Sequence, residues 1–392
     1  QTIAVTEYAV SDYDIILNLR NNHPEMVRID VLNIDSEDCI EIGTHLLDPG
    51  EKKKITCPNV YEFEDERAQL PIIINWTDLG TQATYTQSEE DLMLVGRVSE
   101  KYQAELDNHP DYSFADKGCY NSSKHPVPVC TFYDLNMTRE NLIKNHTLQN
   151  SIDFDRCALK FGDAGWTSGT GWEPIGSLSA GPFAATFDGD DHVIGGLYIN
   201  RPSTNETALF GLAYNLSESL KEVHLTRVDV TGQHKVGALL GNGVGNSAGV
   251  SVYDSSAFGS VNGVNDVGGL VGHAATNCLI SRSSAHVTVS ATGNNSGGLV
   301  GDSANSEISN SYATGAVTGD WAVGGLGGAS TTVSGSQATG VVTGNSRAGG
   351  LVGDASGGVI DDSYATGDVS GGDESGGLLG RLYGGTTDNS YA

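Results

Sequence analysis

Two stretches carry the residue types of a nucleophilic serine. Gly245-Asn246-Ser247-Ala248-Gly249 fits the G-x-S-x-G pattern, in which a sharp strand-to-helix turn presents the serine. Gly301-Asp302-Ser303-Ala304 sets an acidic residue beside a serine. The first has no strand–turn–helix setting. The second recurs as Gly353-Asp354-Ala355 without the serine, so it reads as a structural corner. Asp188, Asp190 and Asp191 could offer oxygens to Ca2+, the one cofactor at which the chain hints. Three carboxylates lack the spaced ligands of a calcium loop, and the same stretch reads as a turn. The histidines are scattered, with no H-E-x-x-H and no Cys/His cluster at zinc spacing. No catalytic residue is assigned, and the expectation is a protein without enzymatic activity.

The elements that would have to position any site are repeats. Gly268-Gly269-Leu270-Val271-Gly272 returns as Gly297-Gly298-Leu299-Val300-Gly301 and as Gly349-Gly350-Leu351-Val352-Gly353, with looser copies around Leu239, Leu326 and Leu378. Counted from the leucine, the steps are 31, 29, 27, 25 and 27 residues. A second phrase follows: Asn310-Ser311-Tyr312-Ala313-Thr314-Gly315, Gly335-Ser336-Gln337-Ala338-Thr339-Gly340 and Asp362-Ser363-Tyr364-Ala365-Thr366-Gly367. Such a period is too short for a domain and suits one coil of a parallel β-solenoid, each coil pairing its backbone with the next. Leu239, Leu270, Leu299, Leu326, Leu351 and Leu378 should stack as an inward column. Ala313, Ala338 and Ala365, beside Val317, Val342 and Val369, should fill a narrow interior. The paired glycines are expected to turn corners at positive φ. Roughly eight or nine coils after Thr131, at ~4.8 Å each, make a rod on the order of 40 Å long. Thr314, Thr339 and Thr366 should form an outward row near Tyr312 and Tyr364. That row is a candidate glycan- or ice-binding face, or simply threonine on exposed strands.

Composition narrows the partners. A net charge of −28 argues against nucleic acid and anionic membranes, and no apolar run approaches the ~18 residues of a membrane span. Cys39 with Cys57 and Cys119 with Cys130 bracket short loops, so two local disulfides are expected, against the alternative of buried thiols. N-x-S/T sequons stand at Asn75, Asn121, Asn136, Asn145, Asn205, Asn215 and Asn294, expected glycosylation sites in an exported chain. Gln1 opens the chain without Met, and Asn389-Ser390-Tyr391-Ala392 stops inside the second phrase; processing and further coils are expected.

Residues 1–100 read as short strands, among them Asp14 to Leu19, Val27 to Ile34 and Pro71 to Trp76, separated by turns such as Leu47-Asp48-Pro49-Gly50-Glu51. Their spacing predicts an antiparallel β-sandwich. Together with Leu94-Val95-Gly96-Arg97-Val98 they resemble the immunoglobulin-like head of archaeal type IV pilins, although the long apolar helix of such pilins is missing. A generic sandwich spacer fits as well. Residues 101–130 read as a connector with a disulfide loop. From Thr131 onward, Gly171-Trp172-Glu173-Pro174-Ile175-Gly176, the stretch from Phe187 to Leu197, and Leu209-Phe210-Gly211 precede the repeats. This order resembles the leader of bacterial and archaeal surface proteins with the GLUG repeat. The resemblance implies a β-solenoid over 131–392 in an extracellular filament subunit, pilus-like appendage or adhesin. It would meet copies of itself, or glycans on other cell surfaces. An accessory repeat region of a larger secreted peptidase is the further alternative. Solenoid enzymes such as pectin-degrading lyases need basic and acidic residues in one groove. After Gly232 the only basic residues are Lys235, Arg282, Arg347 and Arg381.

Overall fold

A computed structural model describes residues 3–10, 14–21, 23, 27–34, 37–40, 45–47, 52–58, 68–78, 83–96, 119–154, 167–214, 220–245 and 249–392. The turns at 48–51 and 79–80, the connector from 101 to 118, Cys157, Asn215 and Ser247 lie outside them. The chain divides into two compact units, Gln1–Gly118 with Asp191–Val193, and Cys119–Asp190 with Ile194–Ala392.

In the first unit the expected strands form. Ile3–Val10, Asp14–Asn21 and Lys52–Pro58 make one antiparallel sheet with Asp14–Asn21 in the middle. Val27–Ile34 pairs with Ala68–Asp78, and that strand with Ala83–Gly96, in a second antiparallel sheet. Val27, Ile29, Leu47, Ile74 and Trp76 are buried, alternate residues of half-buried strands as the period of two requires. The described residues show two antiparallel sheets; they do not show an immunoglobulin-like sandwich.

The second unit is a parallel β-solenoid. Among the described residues its strands form three sheets, and the pairings between those strands are parallel. One column runs Val271↔Val300↔Gly327↔Val352↔Leu379. A second runs Val267↔Ser296↔Val323↔Ala348, and a third Ala285↔Ala313↔Ala338↔Ala365. The result is about seven turns, not eight or nine. Residues 131–200 contribute the short rungs His146–Leu148 and Phe187–Asp188 to the same sheet. A short helix, Phe132–Met137, stands there, closed by a capping box between Thr131 and Asp134. Around it Phe154 meets Trp172 edge-on at 5.4 Å, and Phe210 packs on Phe183 and Phe187 at 5.0 and 5.1 Å. Aromatic side chains fill the core at the start of the solenoid, and leucine, alanine and valine fill the later coils.

The leucine column is buried from Leu239 through Leu351, and Leu378 is partly covered. Its backbone does more than its side chains announce. Leu270, Leu299, Leu326 and Leu351 each donate an N–H to the leucine carbonyl one coil on, at 3.0, 2.8, 2.8 and 2.8 Å. Each accepting carbonyl also receives the next N–H along: Val271 to Leu299, Val300 to Leu326, Gly327 to Leu351. Both lone pairs are used, so no polar group is stranded at the buried corner.

The paired glycines are needed for a different reason from the expected one. Neither Gly298 nor Gly325 lies at positive φ; a Cβ on either would stand 2.1 Å from the carbonyl oxygen of the following glycine, Gly325 or Gly350. They permit close approach between coils. The left-handed corners belong to other residues, including Asp266, Asn295, Ala322 and Arg347 at φ 53°, 59°, 54° and 52°.

A serine column closes the second corner. The N–H groups of Ser255, Ser283, Ser311, Ser336 and Ser363 donate to the hydroxyl of Ser283, Ser311, Ser336, Ser363 and Ser390, at 3.0–3.2 Å. Each of those hydroxyls donates to the carbonyl two residues back, as Ser336 does to Ser334 at 2.8 Å. Ser336→Ala strands the Ser311 N–H and leaves the Ser334 carbonyl with the Asn310 N–H alone. We expect a loss of about 1–3 kcal/mol in urea denaturation, and a larger loss for Gly325→Ala. Wild-type midpoints in both variants would contradict this description of the corners.

Candidate functional site

The stretch Gly301-Asp302-Ser303-Ala304, read from the sequence as a structural corner, lies within a strand. Ser303 lies on Val300–Ser309, fully buried, and its hydroxyl donates to Ser330 Oγ at 2.8 Å in the next coil. Around the G-x-S-x-G stretch, the flanking elements are the strands Leu240–Val244 and Ser251–Tyr253, where an elbow needs a helix. Asp188 forms an ion pair with Lys221 at 2.8 Å and accepts the Asp190 N–H at 3.0 Å. Asp190 and Asp191 sit at φ 48° and 58°, so the three aspartates make a turn.

Cys119 and Cys130 are joined by a disulfide with an S–S distance of 1.98 Å. Asp134 accepts the N–H groups of Cys119, Cys130 and Thr131 at 3.1, 3.0 and 3.1 Å, tying that bridge to the helix. Cys39 and Cys57 lie on the strands Glu37–Ile40 and Lys52–Pro58; their side chains lie outside what is described. Cys278 is a buried free thiol, and burial pushes its pKa up. Among the sequons, Asn121, Asn145, Asn205 and Asn294 are exposed and Asn136 half-buried. Asn75 lies on the strand Ala68–Asp78.

The threonine row is real but short. Thr339 donates its N–H to Ala313 O and Thr366 to Ala338 O, both at 3.0 Å, which spaces Thr314, Thr339 and Thr366 one coil apart. Thr339 and Thr366 are exposed and Thr314 half-buried. In the preceding coils the same position holds Phe258 and His286, which pair in register. Beside it runs Ser284↔Tyr312↔Gln337↔Tyr364↔Tyr391. Tyr364 and Tyr391 stack 5.4 Å apart and 7° from parallel, whereas Tyr312 is buried. A longer exposed hydroxyl row, Ser290↔Thr318↔Thr343↔Ser370, lies on the neighbouring strands.

Three histidines are buried among the described residues of this unit, His146, His224 and His286. His286 hydrogen-bonds Thr314 Oγ1 and, at 3.0 Å, the Tyr312 hydroxyl, and burial lowers its pKa to about 3. His146 lies among Tyr120, Phe183 and Phe187, and burial lowers its pKa to about 4. Both folded values are below the ordinary one, so stability is complete above about pH 6.5. It falls with decreasing pH, as the unfolded chain takes up protons that the fold refuses, roughly tenfold in the folding constant per pH unit for each histidine. Urea midpoints between pH 7 and pH 5 should show this slope, and His146→Phe should reduce it. An equal slope in the variant would contradict the assignment.

A polar groove beside the leucine corner was not foreseen. Its two walls are residues i and i+7 across each Gly-Gly-Leu turn. Arg347 meets Asp354 at 2.7 Å in one coil, and Asp354 also binds Arg381 at 2.8 Å from the next. Arg347 pairs in addition with Glu374 and lies 4.2 Å from the Trp321 ring centroid. Three coils earlier the same positions hold Asp266, His273, Asp302 and Asn295. There burial raises the pKa of Asp266, Asn295 lowers it by hydrogen bonding, and the Asp302 carboxylate raises it further. The spacing of seven is visible in the sequence, but only the folded corner makes it a pairing.

The comparisons with known proteins agree with this architecture. The family model of the GLUG motif matches residues 344–370, and the chain is a β-solenoid protein carrying that motif. Halomucin from Haloquadratum walsbyi is 33% identical over 168 residues, which are 42% of this chain and 2% of halomucin. A protein of Evansella cellulosilytica, provisionally named a Gly-rich membrane protein, is 35% identical over 191 residues, 41% of this chain and 21% of that protein. The chain therefore spans a small part of the length of these relatives. In fold it is similar to the crystal structure of a chain from Bacteroides ovatus provisionally named an immunoglobulin A1 protease. The TM-score is 0.54 at 22% identity, over 70% of this chain and 86% of that one. Neither the motif match nor the two relatives support the pilin-like head expected for residues 1–100.

Proposed function

We propose that the chain is a structural or adhesive component of a cell surface, its solenoid acting as a stiff spacer without catalysis. The observation that carries this reading is the corner architecture. Leucine carbonyls and serine hydroxyls satisfy the buried polar groups coil after coil, and the serine of the suspected nucleophile loop is spent on packing. A solenoid so closed on itself offers stiffness and a repeated outer surface. The names of the two relatives, a mucin-like one and a membrane protein, support a surface location. The charge of −28 favours contact with neutral or cationic surfaces over anionic ones.

The outward hydroxyl rows and the Tyr364–Tyr391 stack favour a second reading, a glycan-binding face, because aromatic rings and hydroxyls suit sugar surfaces. The fold likeness to a chain named as a protease supports a third, the accessory repeat region of a larger secreted peptidase. In all three the solenoid stands outside the cell. Intact cells that express the protein should bind an antibody against residues 249–392 without permeabilisation. Labelling only after permeabilisation would contradict an external role.

A further inference from the structure

We propose that Asp266, His273, Asp302 and Asn295 form a binding site for one divalent transition-metal ion of the Zn2+ class between two adjacent coils. The four side chains stand at the corners of the polar groove. Asp266 and Asn295 follow one another in one column, flanking the Val267↔Ser296 pair, and His273↔Asp302 pair in register in the other. One ligand atom from each of Asp266, His273 and Asp302 lies within 4.8 Å of the others. His273 Nδ1 is 3.6 Å from Asp302 Oδ2 and 4.0 Å from Asp266 Oδ2, beyond direct hydrogen bonding but suited to a shared central ion. The three side chains are 17–21% exposed, so the ion would be held in a groove and remain reachable from solvent.

Two buried atoms at the site lack hydrogen-bond partners, His273 Nδ1 and Asn295 Oδ1. An imidazole nitrogen left bare toward two carboxylates is costly unless it meets a cation or a proton. The Asn295 amide now donates Nδ2 to Asp266 at 2.9 Å and to Asp302 at 3.5 Å. A half-turn of the amide would replace that donor by Oδ1, repulsive toward two carboxylates alone and favourable when they share a cation.

The protein supplies its own control three coils on. The equivalent positions there are Arg347, Asp354, Arg381 and Glu374, two cations against two anions in a closed ion network. In the earlier coils Asp266 and Asp302 stand where Arg347 and Arg381 do, and His273 and Asn295 stand where Asp354 and Glu374 do, so no arginine is there to balance the two carboxylates. One nitrogen with two or three oxygens matches Zn2+ better than Ca2+ or Mg2+, which take oxygen ligands throughout. The other trio at ligand distance, Cys119, Cys130 and Asp134, is closed because its sulfurs are in a disulfide.

The whole chain, stripped with EDTA and then exposed to excess ZnCl2 followed by gel filtration, should retain about one Zn2+ per chain by elemental analysis. Its Tm should rise with Zn2+ concentration. Asp302→Asn with His273→Gln should lose the bound ion and the Tm rise, and keep the wild-type Tm in EDTA. Retention of no Zn2+ by the wild type would overturn the proposal. So would undiminished retention by the double variant, or a Tm that follows only the protonation of His273.

Discussion

The close approach of consecutive coils at the Gly-Gly-Leu corner is the constraint on which the rest of the solenoid depends. A leucine carbonyl there accepts two N–H groups, and the second glycine of each pair lies under the carbonyl of the next. A side chain at that glycine would force the coils apart and break both hydrogen bonds. Burying bare peptide groups would cost several kcal/mol in total, so the glycines are fixed by contact, not by conformational freedom. Leu270, Leu299, Leu326 and Leu351 then have no direction to take except inward, where they meet the alanine and valine columns of the opposite wall.

The serine corner solves the same difficulty with a side chain. Each serine follows a residue in the left-handed region: Asp254, Arg282, Asn310, Gly335, Asp362 and Asn389 have φ between 43° and 55°. The turn removes the backbone partner that a straight strand would offer, and the hydroxyl replaces it as both acceptor and donor. With both corners satisfied internally, the outer faces are free to vary, and they do. One face carries threonines and stacked tyrosines; the groove beside the leucine corner alternates between an arginine–carboxylate network and a carboxylate pair facing His273. Variation at the surface over a constant interior is what an array used for spacing and contact requires.

Much of this was legible in the residues alone. The leucine, alanine and valine columns followed from periodicity, and the parallel solenoid from the length of the period. The glycine pairs were seen but their reason was not, because positive φ and steric crowding demand the same residue and only coordinates separate them. The serine of Asn310-Ser311-Tyr312 stood in plain view in the repeated phrase. It received no role, since a ladder through a hydroxyl needs the corner geometry to be recognised. The Asp266 and His273 pairing was hidden for a similar reason: a spacing of seven has no meaning along a strand and acquires one only when the chain folds back. Phe132–Met137 was missed because six residues are too few for a helical pattern. At the N-terminus alternation identified the strands, whereas the sandwich expected from their spacing is not shown by the described residues, because alternation marks a buried face without saying what covers it.

The account stands on the two corners being continuous through the stack. Hydrogen exchange of the native chain measures that directly, because the amides of Ser283, Ser311, Ser336, Leu299 and Leu326 are the donors of the two ladders. All should exchange slowly and together, at the rate set by opening of the whole stack. Fast exchange at these amides, while those of the flanking strands remain protected, would contradict it.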